Sequence, residues 1–111
     1  PIVISACNNT LNCNSKNVVY LIFCTKCRMK YVGETGQQLK DRLNNHRSDI
    51  ATRKNTAISV HFNSPSHTIS HLKITPLEQT TGDWQARKIR EAFYINKLNT
   101  SYPNGLNNYP L

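Results

Sequence analysis

What the sequence lacks already narrows it. It has no apolar run near the ~20 residues a helix needs to cross a bilayer, and no charged-then-apolar leader. Acids are scarce: six Asp and Glu stand against 14 Lys and Arg, for a formal charge of +8. That balance favours a polyanionic partner such as nucleic acid; a solubilising basic surface and an acidic membrane or protein partner are the alternatives. There is no internal repeat and no low-complexity tract. With 111 residues, 38% of them hydrophobic, the chain can bury one modest core but not two. Because it starts at Pro1 without a methionine, a soluble domain cut from something longer is expected.

Four cysteines, Cys7, Cys13, Cys24 and Cys27, support two opposed readings. In a small secreted protein an even count suggests two disulfides; in a reducing compartment Cys24-x-x-Cys27, followed by several histidines, suggests zinc. The charge balance argues for the nucleus or cytosol, and therefore for reduced thiols. A CxxC at a hairpin tip can place both thiolates on one ion, and His61-x5-His67 or His67-x3-His71 can complete a tetrahedron. The alternative is a free thiol pair or an isolated redox CxxC. No role is expected for Cys7.

Along the chain, Ile2, Val3 and Ile4 suggest a short strand that the Asn-rich stretch from Asn8 to Asn14 breaks. Val18 to Phe23 and Met29 to Val32 are β-branched and aromatic runs, which predicts a hairpin with the CxxC at its tip. After the turn at Gly33 and Gly36, Leu39, Leu43 and Ile50 predict a helix over 37–50. A loop with one helical turn around Ile58 to Phe62 ends near Pro65. Leu72, Ile74 and Leu77 predict a third strand, with Pro76 near its end or at an edge. Asp83 is a candidate N-cap for a helix running to about Leu98, and the Asn/Pro/Gly-rich tail from Asn99 is irregular.

Two polar residues interrupt apolar helix faces. His46 lies on the line Leu39, Leu43, Ile50 and shares a face with Arg42, four residues before it. Glu91 lies on the line Trp84, Lys88, Ile95, Leu98, where a carboxylate is desolvated unless it meets a cation or a metal. Each has a plain structural alternative: a hydrogen-bonded core histidine for His46, a salt bridge to Arg42 or Arg87 for Glu91. Tyr20 and Tyr31, eleven residues apart on two strands, are by themselves ordinary packing residues.

Together these residues form an ordered set. Val18-Val19-Tyr20, then Tyr31-Val32-Gly33, then Arg42, His46, Glu91 and Asn107 resemble the GIY-YIG endonuclease family, with the two tyrosine triplets in place of its two motifs. More narrowly, Asn17-Val18-Val19-Tyr20-Leu21-Ile22-x-Cys24-x-x-Cys27, Tyr31-Val32-Gly33-Glu34-Thr35, His61-Phe62-Asn63 and Tyr102-Pro103-Asn104-Gly105-Leu106-Asn107 look like the endonuclease domain of Penelope-like retroelements. The likeness spans roughly residues 13–108. One departure is Val18, which replaces the glycine of the first motif; within a strand valine is favoured, so the fold is expected to tolerate it.

The resemblance implies an α+β fold: a small three-stranded antiparallel sheet flanked by helices, with a zinc-binding insert in the first hairpin. The endonuclease domain would span 17–111, after an N-terminal extension over 1–16. It implies hydrolysis of DNA phosphodiesters, which needs an activated water, charge stabilisation at phosphorus and help for the leaving oxygen. By carry-over, Glu91 would hold Mg²⁺ or Mn²⁺, Arg42 would grip the scissile phosphate with its fork of donors, and Asn107 would hydrogen-bond in the site and tie the tail to the core. Tyr20 would orient or deprotonate the water, with Tyr31 or His46 sharing the task. A tyrosine base needs its pKa drawn down from about 10, and Arg42, Lys30 and the metal act in that direction. The same subgroup resemblance favours Cys24, Cys27, His61 and His67 as ligands of a structural Zn²⁺, with His71 or Cys13 as substitutes.

Basic residues are spread along the chain as phosphate contacts require, Lys30, Lys40, Arg47 and Arg87 among them, so base specificity should be slight. The family implies cutting of a nuclear chromosomal target to prime reverse transcription, and fusion to a reverse transcriptase. The rivals are a zinc-stabilised nucleic-acid-binding module without catalysis and the secreted disulfide protein. The oligomeric state is left open.

Overall fold

The computed structural model describes the backbone of Val3 and Ile4 and all of residues 11–111. Cys7, with most of the expected N-terminal strand, lies outside the described residues. The sheet is built around β2 (Val18–Cys24), whose β-branched and aromatic run pairs antiparallel with β3 (Lys30–Thr35) on one side and β4 (Leu72–Gln79) on the other. Strand β1 (Val3–Ile4) adds two residues in parallel to the far side of β4, giving the order β1-β4-β2-β3. The three-stranded antiparallel sheet is therefore present, and the residues assigned to the extension lengthen it.

Pro76 sits where sheet rules allow it. The register shifts between Val19 and Tyr20, so that Val19 faces Glu78 but Tyr20 faces Pro76. On its other side β4 is paired, among the described residues, only at Lys73 and Ile74. A residue without an N–H is tolerated at such an irregularity.

Directly paired residues share a face. Tyr20 opposes Gly33 and Ile22 opposes Tyr31, so these four line one face, on which α1 (Leu39–Ala51) lies. Leu39, Leu43, His46 and Ile50 are its buried residues, one stripe at helical spacing. Gln38 makes no side-chain cap; instead the Leu39 and Lys40 amides donate to the Ser15 and Cys13 carbonyls at 3.0 and 2.8 Å. Residues 13–15 thus satisfy donors that every helix start leaves open. Helix α2 (Ala57–Phe62) is capped by Thr56 and buries Ile58 and Phe62; Asn63 donates to the Ile50 carbonyl at 3.0 Å, closing the chain against the end of α1. A short 3-10 turn over Ile69–His71 leads into β4.

The opposite face carries α3 (Trp84–Leu98), closest to β3. Asp83 caps it by accepting from the Gln85 amide at 2.9 Å, and Asn99 ends it in the left-handed conformation. None of its residues is fully buried, and Ile89 is 67% exposed. Polar ties hold it instead: Arg90 grips Glu78 with two bonds of 2.9 Å, and the Tyr94 hydroxyl donates to the same carboxylate at 2.9 Å.

The tail is irregular but anchored. The buried Asn107 side chain accepts from the Val32 amide and donates to the Val32 carbonyl, both at 2.8 Å, while Leu106 donates to the Lys30 carbonyl at 2.9 Å. The tail thereby serves β3 as a partner on its outer side.

Candidate active site and metal centre

Tyr20 is fully buried, and its hydroxyl is the meeting point of two α1 side chains. His46 Nε2 lies 2.8 Å away and Arg42 Nε donates to the hydroxyl at 3.2 Å. The i, i+4 spacing of Arg42 and His46 delivers both to the same phenol. The ring of Tyr20 rests on Gly33: a Cβ there would lie 2.4 Å from the ring, so the glycine of the second motif is the seat of the first motif's tyrosine. Tyr31 packs edge-on to His46, ring centroids 6.3 Å apart. Glu91, on α3, acts electrostatically on both tyrosines, as does Arg42.

Arg42 acts to lower the Tyr20 pKa, as expected, but among the protein's own groups it does not prevail. Burial pushes the pKa up, and the Arg42 guanidinium offsets only part of that; Tyr31 is raised for the same reason. Burial, followed by the Arg42 charge, holds His46 down to about 3. His46 is therefore neutral near pH 7, and its ring nitrogen can accept the phenolic hydrogen. The Arg42 terminal amino groups make no protein hydrogen bond among the described residues, so two donors remain for an anion.

Glu91 pairs with neither Arg42 nor Arg87. Its carboxylate accepts from Lys88 Nζ at 2.9 Å, and the same nitrogen lies 3.9 Å from Glu34. Arg87, expected at a DNA phosphate, turns inward: Nε donates to Glu34 at 2.8 Å, and Nη1 to the Gly82 carbonyl at 2.8 Å and Asn17 at 3.2 Å. Its side chain is 12% exposed, so it ties α3 to β3 and leaves the surface. Lys30, Lys40 and Arg47 are exposed. Asn107 ties the tail to β3 through Val32 and Thr100 and bonds neither tyrosine.

Sequence reasoning missed Lys88 as the cation of Glu91 and Glu34 as its neighbour. Both had a signal: Lys88 is three residues before Glu91, on the same helix face, and Glu34 directly follows the second tyrosine motif.

At the far end of the β2–β3 hairpin, Cys24, Cys27, His61 and His67 bring one ligand atom each to within 4.8 Å of one another. The local fold explains this. Cys24 ends β2, and Arg28, with positive φ, closes a tight turn whose amide donates to the Cys24 carbonyl at 2.8 Å. His61 ends α2, and Cys27 Sγ lies 3.5 Å from its Nε2. His67 Nδ1 is 3.1 Å from the Pro65 carbonyl, which fixes the hydrogen there and leaves the lone pair on Nε2, a buried atom with no hydrogen-bond partner. Two soft thiolates and two imidazoles suit a tetrahedral zinc ion. His71 is not part of the cluster, because its Nδ1 accepts from the Thr68 amide at 3.1 Å within a capping box. Cys13 also lies elsewhere, beneath the start of α1.

A fold of this topology, with tyrosines from two paired strands meeting an arginine and a histidine from the following helix, defines a class. The GIY-YIG catalytic domain model matches residues 16–107, and the chain belongs to that family. Its fold is similar to that of the solved catalytic domain of the homing endonuclease I-TevI, with a TM-score of 0.69 and 25% identity over 82% of this chain and 96% of that one. No curated protein sequence matches.

Proposed function

We propose that the domain is a metal-dependent DNA endonuclease of the Penelope-like retroelement type, acting in the nucleus and fused to a reverse transcriptase, and that the cut end primes DNA synthesis. The observation carrying the nuclease reading is the convergence on Tyr20: Arg42 and His46 bond its hydroxyl from α1, and the Glu91 carboxylate acts on it from α3. Membership of a catalytic-domain family and likeness to a homing endonuclease support it. The retroelement assignment is supported by the subgroup motifs, among them the CxxC between the tyrosines and His61-Phe62-Asn63.

The Glu91 carboxylate fits a hard divalent ion, and Mg²⁺ or Mn²⁺ held there would add charge stabilisation at phosphorus and acidification of water. The chain supplies the rest. Arg42 presents its two terminal amino groups to the oxygens of the scissile phosphate while its Nε fixes the Tyr20 oxygen. Tyr20 positions the attacking water. Since burial keeps the phenol protonated, with its hydrogen directed at His46 Nε2 2.8 Å away, the Tyr20 oxygen orients the water as a hydrogen-bond acceptor, and a water acidified by the metal ion would release its proton to solvent. Lys30, Lys40 and Arg47 contact the DNA backbone. Cys24, Cys27, His61 and His67 would hold a structural Zn²⁺, which would pin the loop after α1 to the hairpin tip.

The test is conversion of supercoiled plasmid to nicked or linear form in Mg²⁺ or Mn²⁺, comparing the wild type with Glu91→Ala. Metal-dependent cutting by the wild type, reduced at least about 100-fold in the variant, is expected for loss of a charge-stabilising group. Equal cutting by both would remove Glu91 from the reaction. Two folded, DNA-binding, inactive proteins would instead identify a zinc-stabilised binding module.

A further inference from the structure

The least expected contact at the candidate site is that between Lys88 and Glu91. The Glu91 side chain is only 16% exposed, and among the described residues its one hydrogen-bond partner is the Lys88 ammonium, at 2.9 Å. That ammonium also stands 3.9 Å from Glu34, a carboxylate 15% exposed whose other oxygen is held by Arg87. Lys88 itself is 46% exposed, on a long stem that can swing outward without disturbing packing. The cation thus stands against both carboxylates and is the most exposed of the three side chains.

We propose that Lys88 is a built-in, displaceable counter-cation of the site: its ammonium occupies Glu91 in the metal-free protein, and a divalent metal ion binds there by displacing it. This deepens the reading of Glu91 as the metal carboxylate and rests on it. One carboxylate oxygen cannot accept an ammonium and coordinate a divalent ion in the same place, and two cations on neighbouring oxygens repel each other. The ion pair therefore stabilises Glu91 in a half-buried setting while no metal is bound, and lowers the apparent affinity for metal by the strength of that pair. Glu34 gives the displaced ammonium a second carboxylate one short swing away, so displacement does not require leaving the site. The geometry makes Lys88 a positioning residue that sets the metal concentration at which the site loads.

The experiment is a Mn²⁺ titration of the 111-residue chain, followed by electron paramagnetic resonance of the free ion. The protein is saturated beforehand with Zn²⁺ so that the Cys/His cluster does not take up Mn²⁺. Lys88→Met is expected to tighten Mn²⁺ binding roughly twofold to fivefold, the range of a partly exposed ion pair, and Lys88→Arg to restore the wild-type affinity. Lys97→Met removes the same charge about 13 Å further along the helix and is expected to change affinity far less. Unchanged or weaker Mn²⁺ binding by Lys88→Met, with binding still lost in Glu91→Gln, would overturn the proposal and leave Glu91 as the metal carboxylate. Binding retained in Glu91→Gln would overturn both. Equal tightening by Lys88→Met and Lys97→Met would reduce the effect to net charge and overturn the proposal as well. Because the readout is free Mn²⁺ rather than cleavage, it does not depend on turnover.

Discussion

Helices α1 and α3 reach the same pair of tyrosines from opposite faces of the sheet, but they are fastened by different forces. Helix α1 buries Leu39, Leu43, His46 and Ile50, and its Arg42 and His46 inherit the rigidity of that packing. Helix α3 buries no residue fully and is held by Arg90 and Tyr94 on Glu78 and by Arg87 on Glu34. One helix is fixed by close packing, the other by charge. Hydrophobic burial contributes more per residue than exposed ion pairs, so α3, which carries Glu91, is the looser partner.

The contrast can be broken most strongly in α1. Leu39→Ala, at a fully buried position, should lower unfolding stability by about 2–5 kcal/mol in a urea titration, whereas Ile89→Ala on α3 should stay within about 0.5 kcal/mol. A comparable loss from both would show that α3 is packed after all. A smaller effect comes from Glu78→Gln, which releases Arg90 and Tyr94. The stability loss should not exceed about 1 kcal/mol, but the amide protons of α3 should exchange faster in D₂O while those of α1 keep their protection. Uniform acceleration in both helices would mean that the two are one cooperative unit.

A third experiment separates the helices by pH. His46 has its pKa depressed from 6.5 to about 3, so the unfolded chain takes up a proton first and stability is lost as pH falls from about 6.5 towards 3. Glu78 is also depressed, chiefly by its hydrogen bond from Arg90, so its contribution is present above the ordinary carboxylate range and declines only below about 4.5. Between pH 6.5 and 5 the slope of stability should therefore flatten in His46→Gln and be unaltered in Glu78→Gln. A flattened slope in Glu78→Gln over that interval would assign the acid sensitivity to the wrong helix.

The same contrast explains what could be read from the sequence. The strands, α1 and its buried stripe, and the Asp83 cap follow from local patterns of period 2 and 3.6 and from capping chemistry, and the structure has them within a few residues. The ordered tyrosine, arginine, histidine and glutamate set was legible as a family resemblance, and the structure adds that Arg42 and His46 meet on one phenol. What was not legible depends on long-range choice. No local rule says that Arg87 selects Glu34 rather than solvent, 53 residues away in the chain, or that Lys88 rather than an arginine meets Glu91. Arg42 lowers the Tyr20 pKa, as the sequence suggests, but burial raises it by more, and nearby cations can be counted in a sequence whereas complete burial cannot. Strand β1 was visible as three apolar residues, but its parallel docking on β4 is a tertiary fact.

The bracket that Asn107 places on Val32 has a consequence for association as well as for packing. Strand β3 is the outermost strand on its side, and an outermost strand presents unpaired amides and carbonyls that invite another chain to add itself. The asparagine side chain mimics a peptide unit closely enough to occupy Val32 on both its donor and its acceptor, and the Leu106 amide does the same for Lys30. The last dozen residues, which have almost no regular structure, therefore act as a guard rail for the sheet. A chain shortened to the end of α3 would keep the tyrosines, the arginine and the glutamate, yet expose an adhesive edge, and its failing would be stickiness before it was any loss of chemistry.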